Sequence, residues 1–131
     1  MILVPPQTTV TAKGDGSPVE VSSAGSRVFL ATLSITRIIE QESLDVSFFG
    51  SADGATWTPK HIAAFRQEFY CGEWPLLVDL SAHPDVKFLR AHWEVARWGR
   101  GTETPMFEFG VTLREVPDSI LKEAAEARTT A

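Results

Sequence analysis

The sequence predicts an all-β fold: an antiparallel two-sheet β-sandwich or jelly roll of about eight strands, with a short C-terminal helix. Turn-forming residues recur at short intervals, which is typical of all-β domains. No segment between them is long enough for the helical crossover that parallel strands need. The predicted turns are Gly14-Asp15-Gly16, Ala24-Gly25-Ser26, Asp53-Gly54, Cys71-Gly72, His83-Pro84-Asp85 and Gly99-Arg100-Gly101.

Alternation of apolar and polar residues defines the strands between these turns. Successive side chains of a strand point to opposite faces, so each run supplies one face to the core. The strongest runs lie at 27–37, 44–49, 87–97 and 105–114, and weaker strands are expected at 7–12, 17–22, 61–69 and 75–80. The predicted core consists of Leu33, Ile35, Val46, Phe48, Leu89, Trp93, Val95, Phe107, Phe109 and Val111.

The chain divides into an N-terminal arm over 1–6, a sandwich domain over 7–116, and a C-terminal helix and tail over 117–131. Pro is tolerated in a first helical turn, and Asp or Ser can cap it, so Pro117-Asp118-Ser119 predicts a helix start. Both terminal segments carry apolar residues without an evident partner, which indicates subunit contacts. The candidate assembly residues are Ile2, Leu3, Val4, Ile120 and Leu121.

Composition narrows the function classes. The chain has 131 residues, 44% of them hydrophobic and 22% charged, which fits one domain with an ordinary core. A net charge of −5 with scattered Lys and Arg argues against binding nucleic acid. No apolar run approaches the roughly 18 residues of a membrane helix, and residues 1–6 lack the basic region of a signal peptide. We expect neither nucleic acid binding nor membrane insertion.

The residue patterns predict no enzyme, metal or cofactor. The single cysteine, Cys71, excludes an internal disulfide and a cysteine-cluster metal site, and we expect a partly buried thiol. The histidines His61, His83 and His92 lack metal-ligand spacing. His92 is expected on the outward face of its strand, where cross-strand charge pairing accounts for it. No nucleophile elbow or phosphate-binding glycine loop is present.

The segment 51–57 predicts a tight hairpin that ends in a tryptophan. Asp53-Gly54 forms the turn, because Gly accepts the positive φ that such turns need. Ser51 and Thr56 can bond backbone groups across the hairpin mouth, and Trp57 is expected to fold back against the sheet. The structural motif is therefore Ser51, Asp53, Gly54, Thr56 and Trp57.

Two further tryptophans are candidates for contact with a partner. Trp74 precedes Pro75 in a predicted loop, and Trp98 lies at a predicted hairpin tip. A Trp flanked by Arg is typical of an interaction hot spot, although packing against the sheet is the alternative. The candidate contact surface is Trp74, Arg97, Trp98 and Arg100, which could also stack on a sugar ring.

Three segments carry a resemblance: 44–57, which contains Ser51-Ala52-Asp53-Gly54-Ala55-Thr56-Trp57, then 87–95 and 105–111. In this order they resemble small proteins from the structural regions of tailed phages and prophages. Those proteins have a Ser-x-Asp-Gly-x-Thr-Trp hairpin, an Arg-Ala-x-Trp strand and a closing Phe-x-Phe strand. The similarity spans about residues 17–114, outside the C-terminal tail. It implies a virion-associated or decoration-type β-sandwich and no particular chemistry.

The same hairpin is similar to part of the discoidin-type, galactose-binding-like jelly rolls. Those domains bind glycans or lipid headgroups through loops at one end, but this chain lacks their terminal cysteine pair. The hairpin also resembles the Asp-box of sialidase-type propellers, although it is one residue short and occurs in a single copy. The motif thus indicates a hairpin geometry rather than a function.

The function predicted from the sequence is a non-enzymatic structural or assembly protein. We expect a phage virion component, in head decoration or associated with the tail, that forms a homo-oligomer or contacts other virion proteins. It would be made in the bacterial cytoplasm and reside in the virion. The alternative is a carbohydrate- or cell-surface-binding module that uses loop aromatics, and a small hydrolase is the least favoured hypothesis.

Overall fold

The computed structural model describes residues 1–38, 42–97, 106–117 and 119. Within these residues the chain forms nine β-strands, and every pair of neighbouring strands is antiparallel. The predicted helix over 117–131 lies outside the described residues apart from Pro117 and Ser119. The strands are β1 Ile2–Val10, β2 Gly14–Asp15, β3 Val19–Glu20, β4 Val28–Ile38, β5 Glu42–Ser51, β6 Ala63–Ala64, β7 Gly72–Asp79, β8 Phe88–Arg97 and β9 Phe107–Val116.

The strands form two sheets. Sheet I has the order β1-β9-β4-β7, and sheet II has the order β2-β8-β5-β6, with β3 also paired to β8. Gly14 lies opposite Trp93 and Val19 lies opposite Leu89, so β2 and β3 act as one interrupted strand along β8. With that pair counted as one strand, the order is that of an eight-stranded jelly roll. The predicted fold class is confirmed.

The inward faces of the two sheets pack into one hydrophobic core. In β4 the buried residues Phe29, Ala31, Leu33 and Ile35 alternate with half-exposed ones, as the sequence pattern predicts. Each large apolar side chain that is fully buried contributes roughly 1.5–3 kcal/mol. The predicted core is confirmed: Leu33, Ile35, Val46, Phe48, Leu89, Phe107, Phe109 and Val111 are buried, and Trp93 and Val95 pack half-buried against them.

The N-terminal residues differ from the predicted free arm. β1 begins at Ile2 and pairs with β9, so the folded domain includes residues that were expected to lie outside it. Leu3 and Val4 are each 1% exposed and belong to the core rather than to an assembly surface. The strand expected over 7–12 covers only the end of β1, because the chain bulges between Val4 and Thr8 and the alternation does not continue across the bulge.

The bulge depends on a close approach between two strands. Pro6 lies so near Gly110 of β9 that a Cβ atom there would be 2.9 Å from the Pro6 Cα. Gln7 follows in the left-handed region with φ of 61°. Because β1 is an edge strand, its prolines remove no hydrogen bond from the interior of the sheet.

The edges of both sheets are poorly suited to pairing with another strand. In sheet I, β1 carries Pro5 and Pro6, and β7 carries Pro75. In sheet II, the edges are the two-residue strands β2, β3 and β6. Proline, bulges and short edge strands all prevent edge-to-edge association. The edges of both sheets therefore disfavour the addition of a further strand.

Candidate functional site

The 51–57 hairpin loop is held by hydrogen bonds within itself. The Ser51 Oγ donates to Asp53 Oδ1 at 2.9 Å and accepts from the Gly54 N–H at 2.8 Å. The same Asp53 oxygen accepts from the N–H groups of Ala55 and Thr56, both at 2.8 Å. Gly54 has φ of 82°, the left-handed conformation that the motif predicts. The Ser51 hydroxyl and the Asp53 carboxylate thus hold this turn through its backbone N–H groups.

These hydrogen bonds stabilise the ionised form of the Asp53 carboxylate. The backbone N–H groups of Thr56 and Ala55, followed by the Ser51 hydroxyl, lower the pKa of Asp53 from 3.8 to about 2. Hydrogen bonds to an ionised carboxylate favour the charged form. Asp53 is therefore a structural anion, and its donors leave it little capacity to act as a general acid.

The hairpin mouth is closed by a different threonine from the one predicted. Thr58 Oγ1 accepts from the Gly50 N–H at 3.3 Å and donates to the Lys60 carbonyl at 2.9 Å. Thr56 instead contributes its backbone N–H to the turn. Trp57 forms an isolated β-bridge with Ser51, so it returns to the sheet as the sequence predicts.

A cluster of aromatic and charged side chains covers the outer face of sheet II beside this loop. Leu89 and Ala91 of β8 face the core, so Arg90 and His92 between them face outward. The strand register places Phe49 of β5 opposite Arg90 and Asp15 of β2 opposite His92. We call these residues the outer-face cluster: Asp15, Phe49, Trp57, His61, Arg90 and His92.

Polar contacts fix the charged members of the cluster. His92 Nδ1 lies 2.9 Å from Asp15 Oδ1, and Arg90 Nε lies 3.7 Å from the same oxygen. A carboxylate only accepts, so Nδ1 donates, and in the neutral imidazole Nε2 is then an acceptor. The Arg90 guanidinium carbon lies 4.3 Å from the centre of the Trp57 ring, in a cation–π arrangement.

The aromatic members also contact one another. The Phe49 ring meets His92 edge to face, with centroids 5.7 Å apart, and meets His61 in the same way at 6.5 Å. Such edge-to-face pairs are the preferred geometry of aromatic rings. The cluster is thus a connected layer, and its side chains are held in position before any partner arrives.

A linear arrangement of Ser47, His92 and Asp15 crosses three neighbouring strands of this face. The order resembles a nucleophile, a base and an orienting acid. However, within the described residues Ser47 Oγ makes no hydrogen bond to His92, and the backbone N–H groups of β5 and β8 face along the sheet into the ladder. No oxyanion hole is therefore available from these strands.

The part of the chain that the structure describes contains no evident metal-binding site. No three His, Cys, Asp or Glu side chains in that part converge on a common point that could hold an ion. Among the same residues, no helix is long and apolar enough to span a membrane.

Only part of the predicted contact surface lies within the described residues. Trp74 lies in strand β7 opposite Leu33, rather than in a loop, and packs half-buried against the core. The strand expected over 75–80 therefore begins earlier, at Gly72, and Pro75 is accepted within it because β7 is an edge strand. Arg97 ends β8, and Trp98 and Arg100 lie outside the described residues.

The described residues include three of the five candidate assembly residues, and these three differ in exposure. Ile2 is 56% exposed, whereas Leu3 and Val4 are buried, and Ile120 and Leu121 lie outside the described residues. Sequence reasoning did not single out Tyr70, which is 73% exposed in the loop before β7. Cys71 beside it is exposed rather than partly buried.

The outer-face cluster is the main feature that sequence reasoning missed. Alternation in β8 indicates that Arg90 and His92 face outward, but their partners come from distant segments. Asp15 lies 77 residues from His92 along the chain. Only the strand register brings the two together, and no local signal in the sequence encodes that register.

No protein-family model matches the chain, and no curated protein is significantly similar to it.

Proposed function

We propose that the protein is a non-enzymatic structural protein that assembles through side-chain contacts, as a component of a phage particle. The observation that carries this proposal is the position of its exposed apolar side chains. Met1 and Ile2 lie at β1, one edge of sheet I, and Tyr70 lies just before β7, the opposite edge.

Blocked strand edges support contact through these side chains. Pro5, Pro6 and Pro75 prevent backbone pairing at the edges of sheet I. An apolar patch on one edge that meets a different patch on the next copy makes a heterologous contact, which closes into a ring when the rotation permits. Rings of a small β-sandwich suit a head-decoration or tail-associated role.

The virion assignment itself rests on the resemblance in motif order. The alternative, glycan or cell-surface binding through loop aromatics, has weaker support: Trp74 packs against the core, and Trp98 lies outside the described residues.

Light scattering on a sizing column, over a series of concentrations, tests the proposal. We expect a mass that is a multiple of 14.4 kDa, and we expect Ile2→Lys and Tyr70→Ser each to lower it. Ser23→Lys adds the same charge at another exposed position and serves as the control, with no change in mass. A 14.4 kDa monomer at every concentration would contradict self-assembly.

A further inference from the structure

We propose that the outer-face cluster of sheet II is a binding site for a neutral sugar. This site is separate from the assembly contacts, because Ile2 and Tyr70 belong to the edges of sheet I. The inference therefore does not depend on the oligomeric state of the protein.

The hydrogen-bonding groups of the cluster suit a ligand with several hydroxyls. Arg90 offers the N–H donors of its terminal nitrogens, which have no hydrogen bond among the described residues, whereas its Nε is shielded from solvent. His92 Nε2 and the second carboxylate oxygen of Asp15 are acceptors. A sugar hydroxyl both donates and accepts, so adjacent hydroxyls can satisfy both kinds of group.

The aromatic members suit the apolar C–H faces of a sugar ring. Phe49 and Trp57 flank Arg90, one across the strand pair and the other against the guanidinium. Both rings are half-buried, so each still presents some surface to solvent. A ring that is apolar on its faces and polar at its rim matches such a mixture of aromatic and hydrogen-bonding groups.

Charge selects a neutral ligand over an anionic one. The positive charge of Arg90 is balanced by Asp15, so the cluster itself is close to neutral when its histidines are uncharged. Glu94, the next outward residue of β8, is exposed on the same face and adds negative charge. An acidic sugar or phosphate would be repelled by these carboxylates and by the net charge of −5.

The site is also ordered in advance of binding. An exposed Arg side chain normally loses conformational entropy when a ligand fixes it. Here the side chain already lies against Trp57 and beside Asp15, and it is only 29% exposed. Pre-organisation of this kind lowers the entropic cost of association.

An NMR titration of the ¹⁵N-labelled protein tests this proposal. The probes are cellotetraose, mannotetraose and galactotetraose, with tetragalacturonate as the charged counterpart of the last. We expect at least one neutral probe to bind with a Kd of about 1 mM. The shifts should centre on Asp15, Phe49, Arg90, His92 and the Trp57 indole, and tetragalacturonate should bind more weakly than galactotetraose.

Variants then assign the binding to the cluster. Asp15→Asn and Arg90→Lys should each weaken binding of the probe by about tenfold or more, because Asn lacks the carboxylate charge and Lys lacks the planar guanidinium that lies over Trp57. Arg114→Lys, on the exposed outer face of sheet I, is the matched control and should not change the affinity. The spectra also report whether each variant folds, and His92→Gln replaces any that does not.

Three results would overturn the proposal: no shift with any neutral probe at about 10 mM, shifts that centre elsewhere on the surface, or tighter binding of tetragalacturonate than of galactotetraose. Binding that survives all the cluster variants would likewise place the site somewhere else.

Discussion

The two sheets of this jelly roll are built differently. Sheet I has four strands of 9, 10, 11 and 8 residues, and β4 is paired along its length on both sides. Sheet II has two central strands of 10 residues each, flanked by segments of only two residues. Sheet I therefore has the more continuous strand pairing. The edges of sheet II have only two-residue strands, joined by loops.

The outer faces of the two sheets also carry different side chains. On sheet I, two outward hydroxyls are bonded to carboxylates: Thr36 donates to Glu108 at 2.9 Å, and Ser34 donates to Glu73 at 3.2 Å. On sheet II, aromatic rings and a guanidinium form the outer-face cluster. The comparison suggests a division of roles, in which sheet I maintains the fold and sheet II carries a surface suited to recognition.

The largest expected loss of stability follows from a substitution on the core-facing side of sheet I. Phe109→Ala should lower the free energy of unfolding by about 3–5 kcal/mol, because it leaves a cavity beneath Trp93. Phe49→Ala, the same substitution on the outer face of sheet II, should cost about 1 kcal/mol, since it removes mainly edge-to-face ring contacts. Chemical denaturation measures both values. Equal losses would show that the outer-face cluster is part of the structural core.

Sequence analysis predicted the buried faces of the two sheets better than their outer faces. The alternation in β4, β5, β8 and β9 identified the buried faces, because period-two patterning is a local property. It missed the start of β1, where Pro5 and Pro6 interrupt the pattern, and the start of β7, where Trp74 precedes Pro75. The partnership of Asp15 with His92 is non-local, and the sequence placed Asp15 only in a turn.

A smaller effect is expected in the loop that supports the cluster. Ser51→Ala removes the oxygen that accepts from Gly54 and donates to Asp53, and the site is buried, so we expect a loss of about 1–3 kcal/mol. The loop holds Trp57 against Arg90, so the indole resonance of Trp57 should shift as well.

Ser81→Ala provides a control, since Ser81 lies in an exposed loop that does not touch the cluster. Its effect on the Trp57 indole resonance should be negligible. If Ser51→Ala left both the free energy of unfolding and that resonance unchanged, the hairpin loop would not be the support of the cluster.

The smallest effect concerns pH. Asp53 has its pKa lowered from 3.8 to about 2, so the unfolded state binds more protons between these pH values. Its contribution to stability is present above about pH 4 and is lost as the pH falls toward 2. Denaturation curves should therefore show a shallower acid loss for Asp53→Asn than for the wild type.

Two other carboxylates, Asp79 and Glu68, contribute equally to the stability of the wild type and of Asp53→Asn. Their effects therefore cancel when the two proteins are compared. Hydrogen bonds from the Ser81 hydroxyl and backbone N–H lower the pKa of Asp79, while burial raises the pKa of Glu68. Identical slopes for wild type and Asp53→Asn between about pH 2 and 4 would mean that Asp53 is not held as an anion in the folded state.

Native-state hydrogen exchange tests the division between the sheets most directly. We expect the slowest amides in the β4–β9 pair of sheet I, and we expect the edge strand β7 to exchange more slowly than β2, β3 and β6 of sheet II. The short edges should exchange by local opening, which needs less free energy than global unfolding. If β2, β3 and β6 were as protected as β7, sheet II would contribute equally to maintaining the fold, and the proposed division of roles would be contradicted.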